Sequence, residues 1–345
     1  MSRAQSPPGA RGASPLERYS VADSPVILGL DFGGTKIAMA VCEPDGEVRA
    51  STTVSSGGEL GARASFERGV HAAREVLAAA APGREVVAVG VSTFGIPFDD
   101  RVELAPTIDG WGDLPLGREV RAAFPGAAVR MATDAKAAAQ AEARWGALAG
   151  FDPAIYLNLG TGLSAAIVVG GKVLHGKNGA AGEIGYNLRV TSDVGVPLAA
   201  RTMLEDMISG QGLARRAAGH TTHGGPMEAA EVFEAGPDVP GLDRLVTEFV
   251  GELAFHVVNL AICINPVRIA VGGGMVQSWD RLRPGLQDAL TAGVPYPPEL
   301  VVARFPSDAP LIGAVGLAVD AAREEGIHGA EVTLPAVTLS EGLPL

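Results

Sequence analysis

Asp31-Phe32-Gly33-Gly34-Thr35-Lys36 is the most informative stretch of this chain. Pro25-Val26-Ile27-Leu28-Gly29-Leu30 precedes it and Ile37-Ala38-Met39-Ala40-Val41-Cys42 follows. Both flanks are short and apolar, with two adjacent glycines between them, the pattern of a β-hairpin with a tight, open tip. Glycines at such a tip let backbone N–H groups approach an anion closely, because no Cβ stands in the way. Asp31 ends the first strand, placed to hold a metal ion through water, and Thr35 and Lys36 supply further donors. An ordinary Gly-Gly turn has the same pattern, so this stretch alone leaves both readings open.

The second half of the chain begins in the same way. Ala154 to Leu159 reads as a strand, Gly160-Thr161-Gly162 as a glycine tip, and Leu163 to Val169 as the returning strand. Two such hairpins facing each other across a cleft are suited to grip the phosphates of one nucleotide. Between them the chain alternates strand and helix, an α/β order. Val48 to Val54 is a strand, 62–80 a helix, Val86 to Val91 a buried strand and Ser92 to Asp100 an irregular loop. Leu116 to Phe124 is a short helix and Val129 to Met131 a strand. At Thr133-Asp134 the chain turns into an Ala-rich helix ending near Trp145. Asp134 reads as a helix cap and equally as a carboxylate at the C-terminal edge of a sheet, where α/β proteins bind ligands; the two are compatible.

Gly176 to Gly185 is a glycine-rich loop with one acid, Glu183, either a solvated charge or a ligand contact. A helix is expected over 199–218 and a short one from Met227 to Glu234. His220 and His223 lie in that region without an acid or Cys at ligand spacing, so they make no metal site. Leu242, Leu245, Phe249, Leu253, His256, Leu260 and Ile264 form a stripe at helical spacing, with His256 read as a satisfied core histidine. Val267 to Val271 is a strand running into Gly272-Gly273-Gly274, which fits either a tight turn or close approach to a ligand. Pro310-Leu311-Ile312-Gly313-Ala314-Val315-Gly316 opens a helix that reaches about Glu325.

A chain of 345 residues, 47% of them hydrophobic, has room for two domains and a sizeable core. The net charge of −12 argues against a nucleic-acid partner. Cys42 and Cys263 are far apart, as expected of buried thiols in a reducing compartment. Residues 1–25 are rich in Pro, Ser, Gly, Ala and Arg and read as a disordered tail lacking the apolar core of a signal peptide. No later segment reads as a bilayer span. The expectation is a cytoplasmic protein with no membrane partner.

With these pieces in place the chain resembles the ROK family of sugar kinases and sugar-responsive repressors, over about residues 26–326. DFGGTK resembles its first phosphate motif, LGTG its second, VGGGM its adenosine-site glycines, GAAGEIG its sugar-contacting segment and PLIGAVGLA its closing helix. The resemblance implies a two-domain, actin-like α/β ATPase fold, ribonuclease H-like, each domain a mixed sheet flanked by helices with the active site between them. The N-terminal domain would span 26–132 and be closed by the helix 310–326; the second would span 133–309, with an extension at 327–345. It also implies a homodimer, and ATP and Mg²⁺ as cofactors.

Residue by residue, the resemblance makes Asp134 the general base, since the family's Asn-Asp-Ala-Asn aligns with Thr133-Asp134-Ala135-Lys136. Asp31 would orient Mg²⁺ through water. Gly33, Gly34, Thr35, Lys36, Gly160, Thr161 and Gly162 would bind phosphates, Gly273 and Gly274 the adenosine, and Glu183 a hydroxyl of a sugar or sugar-like substrate. Several positions depart from the family. Its zinc-binding His after AGEIG is Tyr186 here, and residues 187–206 contain neither Cys nor His, so no zinc site is expected. Two sugar-contacting Asn positions are Thr107 and Thr133, and Phe94 stands where Pro is frequent. Beside the kinase stand two further readings, a regulator that keeps the sugar pocket and a sensor that binds without turnover. No DNA-binding segment fits in the tail and the charge is acidic, which disfavours the first; Asp134 and both glycine tips favour turnover over the second.

Overall fold

The computed structural model describes residues 24–220 and 227–327. In chain order the elements are β1 Val26–Phe32, β2 Lys36–Cys42, β3 Val48–Ser55, α1 Ala62–Ala80, β4 Val86–Thr93, β5 Ile96–Pro97, β6 Val102–Glu103, α2 Leu116–Ala123, β7 Ala128–Thr133 and α3 Asp134–Trp145. There follow β8 Ala154–Leu159, β9 Leu163–Val169, β10 Lys172–Val173, α4 Glu205–Ile208, α5 Gly210–Ala217, α6 Ala229–Ala235, α7 Pro240–Ile264, β11 Arg268–Gly272, α8 Trp279–Gly293, β12 Glu299–Val302 and α9 Ala309–Glu324. One five-stranded sheet has the order β3-β2-β1-β4-β7 and a second the order β10-β9-β8-β11-β12.

The two sheets are built on one plan. In the first, β1 pairs antiparallel with β2 and β2 with β3, while β1, β4 and β7 run parallel. The second repeats this with β8, β9 and β10 antiparallel and β8, β11 and β12 parallel. The parallel strands are buried on both faces, which is why Val26 to Leu30 and Val86 to Val91 read as continuous apolar runs. Helix α1 packs Phe66, Val70 and Ala73 against the first sheet, joined by Trp111, which is fully buried beside Phe32 and Phe94. The stripe on α7 packs Leu242, Leu245, Phe249 and Leu253 into the core of the second sheet.

Helix α9 lies where the two halves meet, packed on β1, β4 and β7 and against α3. Two glycines make this approach possible. A Cβ at Gly90 of β4 would lie 1.9 Å from the carbonyl oxygen of Ala314, and one at Gly313 would lie 1.9 Å from that of Ala137.

The structure corrects several expectations. Ser92 and Thr93 belong to β4 and not to a loop, and β5 and β6 form a small hairpin after them. The helix expected over 199–218 is broken into α4 and α5, because Ser209 caps α5 by accepting the Gly212 N–H at 3.1 Å. Helix α8 and strand β12 carry no signal strong enough to be read beforehand; Pro284 sits inside α8 and β12 has four residues. Helix α7 is long and apolar enough, by length and composition, to cross a membrane, contrary to the reading that no segment is. Its apolar stripe is taken up by the core. Cys263 is exposed while Cys42 is buried, so only one thiol is sequestered. Ser24 and Pro25, assigned to the tail, are tied down by Arg84, whose guanidinium donates to both carbonyls. Residues 1–23, His223 and most of the C-terminal extension lie outside the described residues.

Candidate active site

The parallel strands of the first sheet end together, and their register sets the site. Asp31 of β1 faces Ser92 of β4, which faces Ala132 of β7, one residue before Thr133 and the start of α3. Asp31 and Asp134 therefore stand at one carboxyl edge, each enclosed by protein yet still reaching solvent. Enclosure pushes Asp31 up to about 7, and the negative charge of Asp134 adds to the rise. Ser92 Oγ opposes it from close by but makes no hydrogen bond of ordinary geometry. Asp134 is pushed up to about 6 by enclosure, and by the charges of Glu183 and Glu205. Its Oδ1 accepts the Ala135 N–H at 2.7 Å, which holds the carboxyl in place. The cap of α3 is Thr133, whose Oγ1 accepts the Lys136 N–H at 3.3 Å, and not Asp134.

At the first tip, Gly33 uses its own N–H to close the hairpin onto Lys36 O at 2.9 Å. Ser56 anchors the strand behind it, donating Oγ–H to Gly34 O at 2.7 Å. Among the described residues the N–H groups of Gly34 and Thr35 have no acceptor, so they are the donors an anion would find. Thr107 is exposed and packs on this tip; a Cβ at Gly34 would lie 2.5 Å from its Cγ2. Lys36 is exposed, and its charge opposes the rise that enclosure imposes on Asp308, the residue before α9.

The second tip has the same economy. Gly160 closes it through its N–H to Gly162 O at 3.1 Å, leaving the N–H groups of Thr161 and Gly162 without an acceptor among the described residues. The break between α4 and α5 gains its meaning here. Gly210 N donates to Gly160 O at 2.8 Å and Gln211 N to Thr161 O at 3.4 Å, so the start of α5 steadies the tip from behind. Glu205 of α4 accepts the Leu163 N–H at 2.7 Å, and a Cβ at Gly162 would lie 2.5 Å from its Oε2. Enclosure raises Glu205 as well. Neither Glu205 nor Ser209 is singled out by the sequence, since both fall in a stretch that reads as one continuous helix. Gly273 and Gly274 follow β11 and approach Gly160 to 3.9 Å of where its Cβ would be; Gly273 has φ 89°, open to glycine alone without strain.

Glu183 is not a loose loop charge. Lys136 Nζ donates to its Oε1 at 3.0 Å, with the ammonium out of solvent. Tyr186 is half-buried, and the burial raises its phenol together with the charges of Glu205 and Glu183. The loop after it is held by side chains, with no ligand set that zinc would fit in 187–206. Arg201 donates to Tyr186 O at 2.6 Å and to Asn187 O at 3.3 Å, and Arg189 pairs with Glu252 of α7 at 2.6 Å. His256 of α7 is buried, with Nδ1 3.4 Å from Asn187 Nδ2 and Nε2 without a partner among the described residues, so it is only half satisfied.

A sequence profile of the ROK family matches residues 27–321. The bifunctional enzyme NanE/NanK of Brucella melitensis is 32% identical over 312 residues, covering 88% of this chain and 55% of that protein. The chain thus spans about half the length of that relative. A ROK hexokinase from Thermus thermophilus superposes with a TM-score of 0.70 at 29% identity, over 87% of this chain and 99% of that one. A ROK family glucokinase from Streptomyces griseus, in complex with glucose and AMPPNP, superposes with a TM-score of 0.67 at 30% identity, over 86% and 99%. Duplicated sheets, paired glycine tips and a carboxylate edge agree with these likenesses, and the chain belongs to the ROK family, with its actin-like ATPase fold.

Proposed function

We propose that this protein is an ATP-dependent carbohydrate kinase acting on a hydroxyl of a sugar or sugar-like ring. The observation that carries this reading is Asp134, an enclosed carboxylate that senses Glu205 under the second glycine tip and is sensed by Asp31 before the first, each tip presenting N–H groups without an acceptor among the described residues. The substrate oxygen bonds to the γ-phosphorus as the bond from that phosphorus to the β–γ bridging oxygen breaks. The hydroxyl proton passes to Asp134, and ADP carries away the bond's electron pair. Gly34, Thr35, Thr161 and Gly162 stabilise phosphate oxygens through their N–H groups. Gly273 and Gly274 flank the adenosine, and Glu183 accepts from a substrate hydroxyl.

Asp31 is suited to hold Mg²⁺ through water. Its carboxyl is enclosed with Ser92 Oγ unpartnered beside it, and Mg²⁺ commonly takes one or two carboxylates while keeping several waters. When bound, Mg²⁺ neutralises charge on the β- and γ-phosphates. The reading includes closure of the halves 26–132 (with 310–326) and 133–309 around the substrates, a homodimer, and a cytoplasmic setting, all supported by family membership. Light scattering tests the dimer. Turnover is tested by ADP release with Mg²⁺, ATP and a panel of hexoses, amino sugars and cyclitols. At least one acceptor must give ADP and a phosphorylated product with wild-type protein and fail with Asp134→Asn. ADP release that is indifferent to every acceptor would refute the reading.

A further inference from the structure

Two charged residues of the first turn of α3 have different fates. Asp134 reaches the cleft, whereas Lys136 turns inward and is 2% exposed. An ammonium taken out of water needs a counter-charge, and the only salt bridge of Lys136 among the described residues is to Glu183. The Glu183 backbone is fixed independently. Gly182 before it accepts the Ala165 N–H of β9 at 2.8 Å, and Tyr186 N donates to Glu183 O at 3.1 Å. Lys136 thus acts on a side chain whose main chain cannot drift. It donates to Oε1, and Oε2 has no hydrogen-bond partner among the described residues. In the segment resembling Asn-Asp-Ala-Asn, this ammonium stands where the family has a neutral amide.

We propose that Lys136 is a positioning residue that holds Glu183 as a fixed acceptor with one oxygen presented to a substrate hydroxyl. A hydroxyl then meets an acceptor already aimed by a charged hydrogen bond, whereas an untethered glutamate would have to be ordered on binding.

The inference rests on the kinase reading, and the test separates the two. Wild type, Lys136→Met, Glu183→Gln and the double variant are assayed with ATP and with glucose and N-acetylmannosamine, with sugar affinity also measured by calorimetry. Lys136→Met should raise KM for the best neutral sugar by about tenfold or more, the usual cost of a disturbed charged hydrogen bond. KM for ATP should stay within about twofold. In the Glu183→Gln background the same substitution should cost less than about twofold further, because its partner is already gone. A residue with a merely structural role gives independent, multiplying losses instead. Should Lys136→Met fail to fold with an unpaired carboxylate inside, the double variant, which buries no charge, is still read against Glu183→Gln. Independent losses or an equal rise in KM for ATP each overturn the proposal. If wild type phosphorylates none of the sugars, the kinase reading fails, and the cycle is judged on calorimetric sugar affinity alone; no sugar binding at all overturns both.

Discussion

Asp134 works under opposed demands. The general base of the proposed mechanism must be ionised, yet enclosure lifts its carboxyl to about 6, so turnover should fall as pH drops through about 6. Stability follows the opposite course. Carboxyls raised in the folded chain hold protons preferentially there, so their contribution is full below the ordinary 3.8 and is lost as pH rises through about 6 for Asp134 and about 7 for Asp31. The charge of Asp134 adds to the rise at Asp31. Without Mg²⁺, Tm should therefore rise as pH is lowered from about 8.5 to 6.5. Below that, the buried His256 and the exposed His175, both lowered chiefly by desolvation, begin to oppose the trend. A Tm that falls across the window would show that neither carboxylate is held at a cost. Asp134→Asn removes the charge without changing shape; turnover should drop by about 10²–10⁴, while KM for ATP and Tm are not lowered. Thr133 spends its hydroxyl on the α3 cap and Thr107 leans on Gly34, so neither replaces the amide of an Asn toward a sugar. Glucose should accordingly be a poor substrate, with kcat/KM below about 10⁴ M⁻¹s⁻¹; steady-state kinetics at or above that value would show the pocket unchanged.

At the scale of elements, the segment from Tyr186 to α5 does two jobs. Its second part steadies the Gly160 tip through Gly210 and Glu205. Its first part is a loop fastened by Arg201 and by the Arg189–Glu252 pair, where the family resemblance implies a metal. Arg201 donates to the main-chain carbonyls of Tyr186 and Asn187, so its loss leaves two acceptors unpaired and frees the loop with them. Arg201→Met should raise KM for the sugar severalfold and leave KM for ATP unchanged, since the glycine tips are anchored elsewhere. Equal changes in both constants would place the fastening outside the substrate side. Elemental analysis of the purified protein should find no stoichiometric zinc, and one tightly held ion per chain would end this account of the loop.

In the whole molecule, the two sheets are tied by one tight crossing, α9 against α3 and β4. The crossing works because backbone meets backbone at Gly90 and Gly313. Adding a methyl at Gly313 places carbon 1.9 Å from a carbonyl oxygen, and no rotamer change relieves a clash with main chain. Gly313→Ala should cost at least the about 1–3 kcal/mol typical of overpacking, read as a Tm lowered by several degrees. Turnover should fall further than stability alone explains, because the clash falls on Ala137, in the same first turn of α3 as Asp134. A variant with unchanged Tm would mean that the helices separate freely.

Local pattern carried much of this architecture into view. The Asp31–Lys36 tip, the Gly160–Gly162 tip and helix α1 were legible because glycine turns and apolar periodicity are effects of neighbouring residues. Asp134 and Glu183 were legible as candidates from their places at a strand end and in a glycine loop, each beside an ordinary alternative that the family resemblance set aside. The partners of those residues were not. Lys136 reads as one more polar residue in an Ala-rich helix until it is found 3.0 Å from Glu183, a residue 47 positions away. Glu205 and Ser209 disappear into a helical pattern until Glu205 takes the Leu163 N–H and Ser209 the Gly212 N–H. The half-satisfied His256 and the exposed Cys263 are set by which face of α7 the second sheet covers. Such contacts depend on chain segments far apart in order and adjacent only after folding, and no local spacing encodes that adjacency.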